Sequence, residues 1–120
     1  EEYFRDLETN LLIEMQSHKN TVISCGGGAA LRERNVAEMK KNGRVVLLTA
    51  SPETIYERVK DSDDRPVLKG RKNVKGISEL MEQRREKYEA AADIVINTDD
   101  KTVLQICEEL IQRLSEMEER

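Results

Sequence analysis

Three consecutive glycines, Gly26, Gly27 and Gly28, follow a short segment of β-type composition at residues 21–25. Glycines do not favour a helix or a strand, because glycine loses more conformational freedom on folding than any other residue. A glycine backbone can, however, be approached closely by a ligand, and its N–H groups stay free to donate hydrogen bonds. Parallel α/β sheets bind ligands beyond the carboxyl ends of their strands. This glycine triplet therefore predicts a ligand-binding loop, with a simple turn before the next helix as the alternative.

Charged side chains interrupt the apolar face of the first predicted helix, residues 2–17. At about 100° per residue, Glu8 falls inside this face and Arg5 falls on its edge, one turn away. The apolar residues that define the face are Phe4, Leu7, Leu11, Leu12 and Met15. A carboxylate among apolar side chains is costly unless it is paired. Either the two form an ordinary ion pair worth roughly 0.2–0.5 kcal/mol, or Glu8 holds Arg5 toward an anionic ligand.

Arg84 lies in the middle of the apolar face of a later predicted helix, residues 77–91, whereas its neighbour Arg85 points elsewhere. The apolar face consists of Ile77, Leu80, Met81, Tyr88 and Ala91. An arginine in this position either extends its charged end to solvent or lines a cleft where a carboxylate or phosphate binds both guanidinium nitrogens. The residues alone leave both interpretations open.

A polar segment at residues 61–75 has no periodic pattern and is rich in lysine and arginine. Arg58 ends the helix before it, and Arg65 lies near its beginning in the motif D-R-P-V-L. The segment is either a solvated linker or a lid that closes over a phosphoryl group and supplies positive charge.

The alternation of helices with strands predicts an α/β fold. Strands are expected at residues 21–25, 44–49 and 93–97, each separated from the next by helical segments. Such an order implies a parallel sheet with right-handed crossovers. We therefore expect three parallel strands in a single domain, residues 1–120.

Capping signals mark several helix ends. Gly43 suits the C-terminal cap of a helix over residues 29–41, and Ser51 followed by Pro52 begins the next helix. Thr98 or Asp99 is expected to cap the last helix. The core face of that helix is expected to contain Val103, Cys107, Leu110 and Leu114.

Composition disfavours several classes of function. The 120 residues carry a net charge of −4 without a basic stripe, which disfavours nucleic-acid binding. No run approaches the ~20 apolar residues of a membrane span, and the first residues do not form a signal peptide. The isolated Cys25 and Cys107 indicate reduced thiols in a cytoplasmic protein. Because His18 is the single histidine, a zinc site is not expected.

Four motifs, in their order and spacing, resemble those of the shikimate kinase family over essentially the whole chain. They are F-R-D-L-E from Phe4, V-I-S-C-G-G-G-A from Val22, D-R-P-V-L from Asp64 and R-R-E-K-Y from Arg84. The resemblance implies a three-layer α/β/α parallel sheet of the P-loop kinase type. It also implies transfer of the γ-phosphoryl group of ATP to the 3-hydroxyl of shikimate, with Mg²⁺, in the biosynthesis of chorismate and the aromatic amino acids.

The resemblance assigns the substrate side of the site. It implies that Arg5 and Arg84 bind the carboxylate of shikimate and that Glu8 orients Arg5. The glycine triplet would form the loop on the substrate side, with Gly27 donating its backbone N–H to the substrate.

The resemblance also assigns the nucleotide side. Arg65 would be the catalytic lid arginine that reaches the transferring phosphate and contacts the nucleotide. Arg58 would lie beside the nucleotide, and Ser24 would contact Mg²⁺ through a water molecule.

Two segments of the family pattern do not occur in these 120 residues: a first strand with a GxxxxGK[ST] loop, and a second strand with an aspartate-rich substrate motif. In the family the strand order is 2-3-1-4-5, so the sheet is expected to be incomplete at its central strand. We therefore expect residues 21–25 to pair with residues 44–49, with another copy of the chain, or with a separate polypeptide.

The missing segments leave the activity of this chain open. We interpret it as the C-terminal portion of a shikimate kinase that by itself shows little ATP-dependent phosphorylation. One alternative is a catalytically inactive family member that binds a small acid or a partner protein. Another is a different P-loop small-molecule kinase, such as a gluconate or nucleoside-monophosphate kinase.

Overall fold

Two short strands form a parallel sheet in the computed structural model, which describes residues 1–60 and 73–118. Strand β1 (Val46–Thr49) pairs along its length with strand β2 (Ile94–Asn97). Both lie within the predicted strand segments. Ile94 and Ile96 of β2 are almost fully buried, as expected for a strand covered by helices.

Five α-helices accompany the sheet in the described part of the chain, and the α/β class is therefore confirmed. They are α1 (Glu2–Met15), α2 (Glu33–Lys41), α3 (Pro52–Val59), α4 (Val74–Ala91) and α5 (Val103–Glu118). Helix α1 packs against α2, α3 against α4, and α5 against β2. None of these helices is long and apolar enough to cross a membrane.

Local hydrogen bonds explain where α3 and α4 begin. The Ser51 hydroxyl accepts the backbone N–H of Thr54 at 3.2 Å, and Pro52 occupies the first position of α3, as predicted. The Asn73 side chain accepts the N–H of Gly76 at 2.7 Å. This cap starts α4 at Val74, so the last two residues of the predicted lid at 61–75 are helical.

The predicted cap of the last helix is wrong. Helix α5 begins after Thr102, whose hydroxyl accepts the N–H of Gln105 at 3.1 Å while the Gln105 side chain accepts the N–H of Thr102 at 2.8 Å. This reciprocal pair satisfies two backbone donors at once. The hydroxyl of Thr98 instead donates to the carbonyl oxygen of Thr49 at 2.8 Å, and the Asp99 carboxylate accepts the N–H of Ser51.

The helix predicted after the glycine triplet is divided in two. A 3-10 turn at Ala29–Leu31 precedes α2, and Arg32 between them has an extended backbone (φ −102°, ψ 118°). The extended residue resets the chain direction, and the Arg32 side chain contacts α1. The periodic pattern alone did not locate this break, at which the side chain contacts a segment 23 or more residues away.

The strand predicted at residues 21–25 is absent, so the expectation of three strands is wrong for the described residues. The backbone there is irregular, and Val22 and Ile23 are 97% and 45% exposed. A strand forms only when its N–H and C=O groups have a neighbouring strand to bond. In the described part of the chain the sheet consists of β1 and β2, so residues 21–25 do not pair with β1 in this structure. Pairing with another copy or a separate polypeptide stays a prediction.

Apolar side chains that were expected in the core lie at the surface. On α1, Leu12 is buried, but Phe4, Leu7 and Leu11 are 55%, 49% and 56% exposed. Leu48 of β1 is also exposed, and so are Val103 and Cys107 on the predicted core face of α5. These helix and strand faces are apolar, but no helix or strand among the described residues packs over them.

Candidate functional site

Arg5 and Glu8 form an ion pair on the first turns of α1. Nη1 of Arg5 donates to Oε1 of Glu8 at 3.0 Å, and Nε of Arg5 donates to Oε1 of Glu1 at 3.2 Å. The Arg5 and Glu8 side chains are only 22% and 17% exposed. The hydrogen bond that Arg5 donates to Glu8 raises the pKa of Arg5 above its ordinary value. Arg5 is therefore a charged group held in one orientation.

The glycine triplet lies directly against both arginines that the sequence singled out. A Cβ atom at Gly28 would lie 2.5 Å from Cζ and Nη2 of Arg5, and one at Gly27 would lie 3.2 Å from Nη1 of Arg84. At Gly26 no atom of the described residues, other than those of its chain neighbours, lies within 4 Å of the corresponding position. Glycines at two adjacent positions thus allow two guanidinium groups from distant helices, α1 and α4, to approach the same loop.

Tyr88 connects Arg84 to the loop. Its hydroxyl donates to the carbonyl oxygen of Gly27 at 2.7 Å and accepts a hydrogen bond from Nη1 of Arg84 at 3.2 Å. The sequence placed Tyr88 on the apolar face of α4, not in the site. Its spacing of four residues from Arg84, one helical turn, was the available signal.

A buried polar network fixes α1 relative to the loop. Asn35, fully buried on α2, donates to the carbonyl oxygen of Ala29 at 3.0 Å and accepts the hydroxyl of Thr9 at 2.6 Å. Arg32 donates to the same hydroxyl at 2.9 Å and to the carbonyl oxygen of Arg5 at 3.3 Å. Sequence reasoning missed Thr9, Arg32 and Asn35. The hydrogen bonds that join α1 to Arg32 and Asn35 connect residues 23 to 27 positions apart, and no local pattern reveals them.

Arg58 lies at a different part of the fold. Its guanidinium donates to the hydroxyl and the carbonyl oxygen of Thr98, at 3.1 and 3.3 Å, where the chain leaves β2. Next to it, the N–H of Ser51 donates to the Asp99 carboxylate at 3.0 Å, and this bond lowers the pKa of Asp99. Arg58 therefore lies at the edge of the sheet where the carboxyl ends of the strands meet.

Two predicted site residues remain, Ser24 and Arg65. Ser24 is exposed and lines, with Cys25 and Gly26, a groove of about 330 Å³ that also borders Glu8 and other residues of α1. Arg65 and most of the predicted lid fall outside the described residues. Within residues 1–60 and 73–118, no group of three His, Cys, Asp or Glu side chains is placed to hold a metal ion.

The thiol of Cys25 gives a test of the charge at this site. Cys25 is exposed, but desolvation by the atoms around it and, to a smaller extent, the negative charge of Glu8 raise the pKa of its thiol. Because the thiolate is the reactive form, Glu8→Gln is expected to speed alkylation of Cys25 by iodoacetamide at pH 8. Peptide mass spectrometry would follow the rate, with the exposed Cys107 in the same chain as the internal reference. An unchanged or slower rate at Cys25 would contradict this placement of Glu8.

The fold and the site together define an α/β protein with two fixed arginines around a glycine loop, an arrangement suited to a small anionic ligand. A family model described as shikimate kinase matches residues 1–115. The chain belongs to the shikimate kinase family.

Individual relatives agree with this assignment. The shikimate kinase of Persephonella marina is 45% identical over 114 residues, which are 95% of this chain and 68% of that protein. The shikimate kinase of Caldanaerobacter subterraneus subsp. tengcongensis is 41% identical over 112 residues, which are 93% of this chain and 65% of that protein.

Solved structures agree as well. A shikimate kinase from Acinetobacter baumannii in complex with shikimate superposes with a TM-score of 0.85 at 27% identity, over 94% of this chain and 63% of that one. The Aquifex aeolicus shikimate kinase gives a TM-score of 0.75 at 36% identity, over 96% of this chain and 66% of that one. The P-loop kinase type of fold is therefore confirmed, and the chain spans 63% to 68% of the length of these four relatives.

Proposed function

We propose that this chain forms the shikimate-binding part of a kinase that transfers the γ-phosphoryl group of ATP to the 3-hydroxyl of shikimate. The observation that carries the proposal is the approach of Arg5 and Arg84 to adjacent glycines of one loop. The A. baumannii relative, solved in complex with shikimate, supports the same substrate.

The chemistry of the site fits a hydroxylated carboxylic acid. A guanidinium group binds a carboxylate through two parallel charge-assisted hydrogen bonds. The N–H groups of the glycine triplet have no protein acceptor within the described part of the chain, so they are available to a ligand. Phosphoryl transfer requires mainly positioning and charge stabilisation, and we assign the positioning of shikimate to Arg5, Glu8, Arg84 and the glycine triplet.

The nucleotide side of the proposal rests on fewer contacts. We place ATP near Arg58, because ligands of parallel α/β sheets bind at the carboxyl edge, and we assign to Arg65 the role of the catalytic lid arginine. The described residues do not by themselves fit Mg²⁺, since Ser24 offers a single hydroxyl, and we derive no step through the ion. The free thiols of Cys25 and Cys107 support a cytoplasmic location.

Calorimetric titration of the chain with shikimate and with its methyl ester tests the proposed substrate. We expect shikimate to bind and the ester to bind at least tenfold more weakly, because the ester cannot accept two charge-assisted hydrogen bonds from a guanidinium. Equal binding of the two, or no binding of shikimate, would contradict the proposal. In a parallel assay with ATP, we expect little phosphorylation by these 120 residues, since they contain no GxxxxGK[ST] loop.

A further inference from the structure

We infer that Tyr88 is a positioning residue that makes the arginine of α4 and the glycine loop act as one unit. The inference rests on the proposed function, because it concerns the same substrate, but it assigns a role to a side chain outside the predicted set. The Tyr88 hydroxyl is the shared atom: it accepts a hydrogen bond from Nη1 of Arg84 and donates one to the carbonyl oxygen of Gly27.

The bond from Tyr88 to Gly27 fixes the direction of a donor on the loop. A peptide unit is planar and trans, so the carbonyl of Gly27 and the N–H of Gly28 point in opposite directions. Because Tyr88 holds the carbonyl of Gly27 toward itself, the N–H of Gly28 points away from Tyr88. No protein acceptor for that N–H is present among the described residues. Tyr88 thus orients a donor that a bound ligand can use.

The bond from Arg84 to Tyr88 fixes the second group. Arginine has several rotatable bonds, and ordering such a side chain on binding costs conformational entropy. Arg84 is already tied to the phenol oxygen in the free chain, and both side chains are half-buried. Close packing restricts the unit further, since a Cβ at Gly27 would lie 3.0 Å from the Tyr88 hydroxyl. The guanidinium and the loop are consequently prepared for a ligand before it binds.

Tyr88→Phe removes one oxygen atom and leaves the ring on its helix. We expect the dissociation constant for shikimate to rise about tenfold, which corresponds to the loss of a hydrogen bond to a charged group. Tyr3→Phe is the matched control, since Tyr3 is 76% exposed on α1 and is expected to leave the constant unchanged. Thermal melting of both variants separates a change in affinity from a loss of folded protein.

Two further measurements distinguish positioning from a purely structural role. In a protein that already carries Arg84→Ala, Tyr88→Phe should reduce shikimate affinity less than it does in the wild type. The effects of two substitutions on binding do not add when the two side chains act through each other. In the free chain, Tyr88→Phe should shift the amide resonance of Gly28 in NMR spectra, whereas Tyr3→Phe should not.

The outcomes separate the inference from the proposed function. If the wild type binds shikimate and Tyr88→Phe binds it equally well, or if the losses of Tyr88→Phe and Arg84→Ala simply add, the positioning role is wrong. If the wild type does not bind shikimate, the proposed function fails, and the Gly28 resonance then decides the inference by itself: a shift supports the link to the loop and an unchanged resonance overturns it.

Discussion

Replacing Arg84 by alanine is expected to weaken shikimate binding about 100-fold. The substitution removes two charge-assisted hydrogen bonds to the carboxylate, each worth about 1.5 kcal/mol, and 1.4 kcal/mol corresponds to a factor of ten. The Tyr88 hydroxyl also loses its donor from Arg84. Titration calorimetry on the purified variant would measure the change, and circular dichroism would confirm that α4 remains folded.

The adjacent arginine provides a matched control. Arg85 lies on the exposed face of α4 and pairs with Glu82 and Glu89 through contacts of 3.2 and 3.6 Å. An exposed pair of this kind contributes little to stability, and Arg85→Ala is expected to change shikimate affinity by less than about twofold. If the Arg84 and Arg85 variants bind shikimate with equal affinity, the assignment of the carboxylate to Arg84 is wrong.

Replacing Gly28 by alanine is expected to reduce shikimate affinity by about 10- to 100-fold with little change in thermal stability. The backbone of Gly28 has φ −79° and ψ −13°, which alanine adopts without strain. The new methyl group would instead occupy the position of the Arg5 guanidinium, 2.5 Å from its Cζ atom. Since the end of an arginine side chain is flexible, Arg5 can move away, but it then loses its orientation toward the ligand and its bond to Glu8.

Gly26→Ala is the control for this experiment. Among the described residues, no atom beyond its chain neighbours lies within 4 Å of a Cβ at Gly26, so the added methyl group does not displace Arg5 or Arg84. We expect a smaller loss of shikimate affinity than for Gly28→Ala, because alanine at Gly26 keeps the backbone N–H of the loop and displaces neither arginine. A Gly28→Ala variant that binds as tightly as the Gly26→Ala variant would contradict the close approach of Arg5 to the loop. A large drop in melting temperature would indicate a defect of folding instead.

Local signals were sufficient for much of the fold. The continuous apolar segments at β1 and β2 and the Ser51–Pro52 start of α3 depend on near neighbours in the chain, and the structure has them where they were predicted. The segment at residues 21–25 has an equally suitable composition but forms no strand. Composition gives a segment a preference for extended backbone, whereas a strand also needs a hydrogen-bonding neighbour, which is often distant in the sequence.

Some residues of the candidate site could likewise be found from the sequence, and others only from the structure. Arg5 and Arg84 could be singled out from the sequence, because the 3.6-residue period shows which charges lie on an apolar helix face or, as Arg5 does beside Glu8, at its edge. Tyr88, Asn35 and Arg32 could not, since their roles depend on hydrogen bonds to atoms in other segments of the chain. A phenol on an apolar face and an asparagine in a short helix look ordinary until their partners are known.

The sequence by itself determined the class of fold, the ordered motifs of a shikimate kinase, and two arginines, one on the edge of an apolar helix face and one in the middle of another. Only the tertiary structure decided that these arginines approach adjacent glycines, that a tyrosine hydroxyl joins one of them to the loop, and that one expected strand remains unpaired. The physical reason is the range of the interactions involved. Helix periodicity and capping act within a few residues, whereas strand pairing and the convergence of side chains depend on segments that the chain brings together only when it folds.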